Sequence, residues 1–257
     1  PVSMLTAGAL VHGRYRIVRQ VGRGGMGAVY EGEDTRLRCQ VALKEMRATG
    51  GQAAAAFEHE AQLLASLRHP ALPVVMDYFM EADGQFLVMQ FIPGEDLGSA
   101  LAKREAGFGL ADLLAWLDPL FAALEFLHGH RPPVLHRDIK PANLKLTPRG
   151  EIILLDFGLA KGTVRGGDPA WDPSVLGYTP RYSPLEQVDG SGTDARSDLY
   201  ALGATVYHLL TGVPPPNALE RATALLNRQP DPMRDAHLVS AGVPEAVSAM
   251  LARALAL

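Results

Sequence analysis

Leu135-His136-Arg137-Asp138-Ile139-Lys140-Pro141-Ala142-Asn143 sets a carboxylate, an ammonium and an amide within six residues. The stretch lies between apolar segments, so these polar groups stand where a core should continue. A structural loop accounts for one such residue more easily than for three, because each buried polar group must find a hydrogen-bond partner. Leu144–Leu146 follows at once and Ile152–Leu155 soon after; both have the length and composition of short buried strands. The second runs into Asp156-Phe157-Gly158. A carboxylate at the mouth of a buried strand, followed by glycine, suits a hard cation. Mg2+ takes oxygen ligands and is often held by one or two carboxylates plus substrate phosphates. Asn143 can add a neutral amide oxygen.

Upstream, Gly22-Arg23-Gly24-Gly25-Met26-Gly27 has glycines at G-x-G-x-x-G spacing, which lets backbone amides approach phosphates closely. Alone the pattern is weak, since a flexible turn has the same composition. In a dinucleotide-binding unit a helix follows the glycines and an acidic residue ends the next strand. Here Ala28-Val29-Tyr30 reads as strand, and the next strand, Val41-Ala42-Leu43-Lys44, ends in lysine. A cation is the wrong partner for a ribose diol and a good one for phosphate. The pattern therefore favours a glycine-rich hairpin over a nucleotide's phosphates. From Gln52 to Arg68, Phe57, Ala61, Leu64 and Leu67 recur at helical spacing, and His69-Pro70 closes the helix. Glu60 falls on that apolar face and needs a partner, for which Lys44 is the natural candidate. Glu58 projects roughly 160° away from Glu60 and reads as solvated.

The remaining chain sorts around these residues. Tyr15 to Gln20 alternates as a strand does, and Asp83-Gly84 sits between the apolar runs Val74–Met80 and Phe86–Ile92, a hairpin signal. Beyond Pro93-Gly94 the character changes: Leu110–His128 and Ser197–Leu210 are long helical patterns, the second closed by Thr211-Gly212. Gly162–Pro173 is rich in Gly, Pro and Asp and reads as a mobile loop, and Val213-Pro-Pro-Pro216 as a rigid turn. The expected division is a small β-rich lobe with one helix, residues 1–92, and a mainly helical lobe, residues 93–257, hinged near residues 90–96. The 257 residues, 47% hydrophobic, suffice for real cores in both. A net charge of −4 argues against a nucleic-acid partner. A single cysteine, Cys39, excludes an intramolecular disulfide framework and a cysteine-rich zinc site. Leu110 to Leu127 is interrupted by Asp112, Asp118, Pro119 and Glu125, so no membrane segment is expected in this stretch of chain. The last residues, Met250 to Leu257, lie inside an apolar helical pattern, and the chain reads as a fragment of something longer.

Taken together, the motifs resemble those of eukaryotic-type protein kinases, specifically the bacterial serine/threonine branch. Gly22-x-Gly24-x-x-Gly27-x-Val29, Val41-Ala42-x-Lys44, His136-Arg137-Asp138-x-Lys140-x-x-Asn143 and Asp156-Phe157-Gly158 occur in the family's order and near its spacing. The resemblance covers the chain from about Tyr15 onward. The Gly-Gly-Met-Gly form of the loop and Pro184-Leu185-Glu186-Gln187 resemble bacterial members. The fold this implies is α+β, a bilobal protein kinase-like domain, truncated at its C-terminal end. It further implies that Lys44 holds the α- and β-phosphates of ATP and pairs with Glu60, that Asn143 and Asp156 hold Mg2+ (Mn2+ being able to substitute), and that Asp138 accepts or orients the acceptor's hydroxyl proton. Lys140 would sit near the γ-phosphate, as is typical of serine/threonine kinases. Val29 and Ala42 would frame adenine, with Met89 as gatekeeper, backbone groups of Gln90 and Ile92 on the base, and Asp96 on the ribose. Met89 is equally compatible with an ordinary core methionine.

Thr179-Pro180-Arg181-Tyr182-Ser183-Pro184-Leu185-Glu186 resembles the end of an activation segment, in which Thr179 would contact Asp138 and Lys140. Asp198 is expected to begin a helix as its cap and, by the resemblance, to anchor the catalytic-loop backbone. Arg137 suggests control by a loop phosphate, with Ser174 and then Thr163 as the phosphosites. Three features depart from the family: Lys145 stands where an apolar residue usually lies under adenine, the chain ends before the late arginine that usually pairs with Glu186, and the activation segment has few acceptors. The expected function is ATP- and Mg2+-dependent phosphorylation of serine or threonine on proteins, itself included, in bacterial signalling; the alternative is a pseudokinase or nucleotide-binding scaffold. The expected place is the cytoplasm; the resemblance implies a membrane tether in the full-length protein, as in many bacterial relatives, and allows a homodimer through the small lobe.

Overall fold

The computed structural model describes residues 5–24, 27–47, 51–81, 84–156, 179–190 and 192–257, with the backbone alone at 24, 47, 51–56 and 60. They fall into two compact units that part between Pro93 and Gly94. The first holds β1 (Leu10–Val11), β2 (Tyr15–Gly24), β3 (Gly27–Asp34), β4 (Cys39–Arg47), α1 (Gly51–Ser66), β5 (Val75–Glu81) and β6 (Gly84–Gln90). The strands form one antiparallel sheet in the order β1-β2-β3-β4-β6-β5. Its core is built from residues at alternate strand positions, Tyr15, Ile17, Tyr30, Val41, Leu43, Phe86 and Val88, all nearly inaccessible. The helical spacing of Phe57, Ala61 and Leu64 gives α1 one apolar face, and all three are buried there, as is Leu67 just beyond the helix. Phe57 meets Tyr78 of β5 edge to face at 6.3 Å. Each large side chain so buried contributes about 1.5–3 kcal/mol.

A polar knot closes the end of this sheet. Arg14 donates from Nε and Nη2 to fully buried Asp34 and from Nη1 to Asp77, which also accepts the Tyr15 hydroxyl at 2.6 Å. The Arg14 guanidinium holds the Asp34 carboxyl below the usual carboxylate range. Burial and then the Asp77 bond push the Tyr15 hydroxyl well up.

The second unit holds β7 (Glu95–Asp96), α2 (Leu97–Ala102), α3 (Leu110–His128), β8 (Leu144–Leu146), β9 (Ile152–Leu154), α4 (Leu185–Asp189), α5 (Ala195–Thr211), α6 (Ala218–Leu226), α7 (Ala236–Val239) and α8 (Glu245–Ala254). The three strands form a small antiparallel sheet, β7-β8-β9. Thirteen of the 17 residues of α5 are buried, so it is an internal helix rather than an amphipathic surface one. Its Gly203 lets α8 approach: a Cβ there would meet Ala254 at 3.0 Å. Buried Arg221 of α6 pairs with half-buried Asp231, and its Nη1 donates to the Leu255 carbonyl, tying α6 to the last residues. Among the described residues no helix is long and apolar enough to cross a membrane.

One expectation needs correcting. Asp198 does not begin or cap its helix. The helix starts at Ala195, and Asp194 caps it in a reciprocal arrangement with Ser197. Asp198 lies in the first turn with its carboxylate turned inward and fully buried.

Gly94 enters β7 at φ +116°, and a Cβ there would stand 2.0 Å from the Leu146 carbonyl oxygen of β8. Both the φ and the contact are closed to other residues. Gly94→Ala is expected to cost about 3 kcal/mol, lowering Tm by roughly 6–12 °C in a thermal melt.

Candidate functional site

Gly22, Gly24 and Gly27 sit on the β2–β3 hairpin. Gly22 faces Val29 across it and Gly24 faces Gly27. A strand follows them, not a helix, which removes the dinucleotide-binding reading. Gly27 has φ +148°, and a Cβ on it would fall 1.8 Å from the Glu45 carbonyl of β4, so the hairpin's approach to β4 requires glycine. Val29 lies opposite Lys44, and Ala42 opposite Met89. Val29, Ala42 and Lys44 are half-buried and share the face opposite Tyr30, Val41 and Leu43. One face of the central strands thus gathers an ammonium group between short apolar side chains.

Met89 is buried on β6. The Gln90 N–H donates to the Val74 carbonyl at 2.8 Å, so that donor is not available to a base. Ile92 is buried just beyond the strand. Glu60 is carried by α1, and its side chain lies outside the described residues. Glu58 is exposed, as its position on the helix predicts, and accepts from the Tyr78 hydroxyl at 2.8 Å.

The second unit brings together Asp138, Lys140, Asn143 and Thr179. Lys140 Nζ lies 2.9 Å from Asp138 Oδ2 and donates to Thr179 Oγ1 at 3.0 Å. Thr179 Oγ1 is 3.4 Å from Asp138 Oδ1. Asn143 Nδ2 donates to the Asp138 carbonyl at 2.7 Å and to its Oδ2 at 2.9 Å. Both contacts use the amide nitrogen, so the amide oxygen points away from Asp138. A one-turn 3₁₀ segment, Pro141–Asn143, makes this possible by folding Asn143 back over the loop.

Asp156 is drawn to the same place through its neighbour. The Leu155 N–H donates to the Asn143 carbonyl at 2.8 Å, and the Leu155 carbonyl lies 3.0 Å from His136 Nε2. His136 is fully buried and accepts the Asp138 N–H at Nδ1, so the ring is neutral with its proton on Nε2. Burial holds its pKa below the ordinary value. Asp156 and Arg137 both have non-glycine backbones in the left-handed region, φ +57° and +63°. Such conformations cost free energy and persist where surrounding bonds fix them. Asp198 supplies those bonds to Arg137: it accepts the His136 N–H at 2.9 Å, the Arg137 N–H at 2.8 Å, and faces His128 Nε2 at 2.8 Å.

Asp96 caps α2, with Oδ1 on the Ser99 N–H and Oδ2 on its hydroxyl, both at 2.7 Å. Lys145 lies on β8, opposite Asp96 on one side and Ile153 on the other. Glu186, read as lacking its usual partner, accepts the Ser197 hydroxyl at 2.7 Å. The sequence reading missed His128 and Gln187. Gln187 Nε2 donates to the Arg137 carbonyl at 2.8 Å. Neither carries a local signal, since each bonds to residues more than 40 positions away. Phe157, Gly158, Thr163, Ser174 and the mobile loop expected at 162–173 lie outside the described residues.

Comparison with known proteins gives a consistent result. A family model described as "Protein kinase domain" matches residues 15–241. The serine/threonine-protein kinase PknF of Mycobacterium tuberculosis is 40% identical over 210 residues, which are 78% of this chain and 43% of PknF. Among solved structures, PpkA-294 in its apo form superposes with a TM-score of 0.78 at 26% identity, covering 99% of this chain and 93% of that one. The PknI kinase domain of M. tuberculosis superposes with a TM-score of 0.75 at 27% identity, covering 98% and 91%. The chain spans between 26% and 54% of the length of the curated relatives it matches.

Proposed function

Because the chain belongs to the protein kinase domain family, we propose that it transfers the γ-phosphoryl group of ATP to serine and threonine hydroxyls of proteins, its own included. The single observation that carries this reading is the Asp138–Lys140–Asn143–Thr179 cluster. Protein kinases in general use ATP and a divalent cation, and the residues suit both. The Asn143 amide is oriented with its oxygen away from Asp138, Asp156 directly follows Leu155, whose N–H bonds the Asn143 carbonyl, and both residues carry hard oxygen donors of the kind Mg2+ takes. The cation and triphosphate, when bound, supply the transferable group and neutralise charge that develops during transfer.

In this proposal the chain's own groups position and stabilise. Asp138 accepts or orients the acceptor's hydroxyl proton. Lys140, already bridging Asp138 and Thr179, offers its ammonium to the transferred group. Thr179 lines the acceptor side and favours a serine or threonine. Lys44 binds the phosphates with Glu60 as its partner, and the glycine hairpin offers backbone N–H groups to them. Val29, Ala42, Met89, the Gln90 carbonyl and Ile92 hold the base, and Asp96 the ribose. Each effect is electrostatic or geometric, which phosphoryl transfer chiefly requires. Residues 1–92 and 93–257 are, on this reading, the lobes of one catalytic domain working in the cytoplasm.

Incubation with γ-labelled ATP and a generic protein substrate tests the proposal. Label should appear on serine and threonine with Mg2+, less with Mn2+, and not with chelator. Lys44→Met should lower transfer about 10²–10³-fold while circular dichroism stays unchanged. Label independent of a divalent cation, or a Lys44→Met protein as active as the parent, would overturn it. Nucleotide binding without transfer would instead indicate a scaffold.

A further inference from the structure

Gln187 lies on α4, the short helix that directly follows the Thr179–Pro184 segment, and none of the proposed roles uses it. Its side-chain amide reaches across to the catalytic loop, where Nε2 donates to the Arg137 carbonyl at 2.8 Å. Arg137 is the residue at φ +63° immediately before Asp138. Its own N–H is held by Asp198 at 2.8 Å. The two backbone polar groups of this one residue are therefore gripped from two different helices, the N–H from α5 and the C=O from α4. A non-glycine residue stays in the left-handed region only where its surroundings over-determine it, and these two bonds are what over-determine this one.

The helix that carries Gln187 is itself fixed. Glu186 accepts the Ser197 hydroxyl of α5 at 2.7 Å, and the Gln187 and Val188 N–H groups both donate to the Pro184 carbonyl. Further back, Ser183 donates to the Thr179 carbonyl and the Tyr182 N–H donates to the same oxygen. The chain from Thr179 to Gln187 is thus a continuous bonded unit. One end of it touches Asp138 through Thr179, and the other grips the peptide next to Asp138.

We propose that Gln187 is a positioning residue for phosphoryl transfer: it clamps the Arg137 carbonyl, fixes the left-handed turn that aims the Asp138 carboxylate, and couples the acceptor segment to the catalytic loop. The proposal rests on the kinase reading above. Its chemistry demands a donor at this position. A carboxylate of the same shape would put oxygen against oxygen, so Gln187→Glu breaks the clamp with little change of volume. Gln187→Lys restores a donor with enough reach. Because the clamp acts on aim and touches no nucleotide ligand, turnover should suffer and ATP affinity should not.

Two measurements on the purified chain test this. Amide hydrogen exchange over residues 134–140 reads the clamp directly, since the His136, Arg137 and Asp138 N–H groups are all bonded within it. Gln187→Glu should raise exchange there about tenfold, with α5 unchanged. Steady-state kinetics should give kcat about tenfold lower with KM for ATP within twofold, and Gln187→Lys should recover at least half of the loss. Unchanged loop exchange in Gln187→Glu overturns the proposal. So does a kcat loss that merely tracks a fall in Tm and in folded fraction, or one that Gln187→Lys does not relieve. A parent chain that transfers no phosphate would sink the kinase reading, and loop exchange would still decide whether Gln187 holds the loop.

Discussion

Asp138→Asn should keep the fold and the nucleotide affinity and lose about 10²–10⁴-fold in kcat, the range that a positioned proton acceptor contributes. The carboxylate is fixed on three sides. Oδ2 receives Lys140 and Asn143 at 2.9 Å each, and Oδ1 lies 3.4 Å from the Thr179 hydroxyl. The side chain retains 15% of its exposure, so it is ordered yet open to an acceptor. Asparagine matches the volume and retains one acceptor oxygen. It cannot take up a proton, and its NH2 must face either two existing donors or the hydroxyl to be activated. Binding of ATP does not depend on that oxygen, so KM for ATP should move by less than about threefold while the chemical step slows. Quench-flow with saturating ATP and a serine peptide measures this. Near-parental kcat would remove Asp138 from the reaction, and a parallel rise in KM for ATP would recast it as a binding residue.

The parts of this protein that could be read from its sequence are those whose determinants are local. Phe57, Ala61 and Leu64 buried one face of α1 because helical period alone decides which residues share a face. The boundaries of α3, Leu110–His128, followed its apolar pattern even with Pro119 inside it, since burial of residues such as Leu113, Leu120, Leu124 and Leu127 outweighs one missing hydrogen bond. Asp138, Lys140 and Asn143 fall within one loop, so their spacing already implied that they meet. What escaped was set by tertiary partners. Asp198 looks like a cap in the sequence because the apolar pattern of α5 starts near it. The true cap, Asp194 with Ser197, lies in a polar stretch that hydrophobic period passes over, although Asp followed three residues later by Ser was a visible signal. Gln187, His128 and the Arg14–Asp34–Asp77 knot depend on chain segments brought together only by folding. Side-chain identity alone does not announce such contacts.

Asp198→Asn should damage both stability and turnover, and the loss should shrink in acid. The carboxylate is inaccessible and accepts from the His136 and Arg137 N–H groups and from His128. Whichever way an amide is seated in its place, its NH2 confronts at least one of those donors. A buried donor left unsatisfied costs about 1–3 kcal/mol, and loss of the charge that its neighbours are arranged around adds to it. A total of about 3 kcal/mol lowers Tm by roughly 6–12 °C. Releasing the Arg137 N–H also frees the left-handed turn before Asp138, so kcat of the folded fraction should fall as well. The pH dependence follows from the carboxyl's environment. Burial pushes its pKa up, but the His128 bond and the backbone N–H groups outweigh burial and hold it below the usual range. A group whose folded pKa is depressed contributes its stability above the unfolded value, about 3.9, and loses it as pH falls through the folded one. The gap in unfolding free energy between parent and Asp198→Asn should therefore be full at pH 7 and close progressively below about pH 4. Taking the difference between the two proteins cancels the other acid-sensitive carboxylates, Asp34, Asp194 and Asp231 among them. Urea titrations of both proteins from pH 7 to pH 3 give that difference directly. A gap that is absent at pH 7, or that widens in acid, would mean that the buried carboxylate is not what holds the catalytic loop.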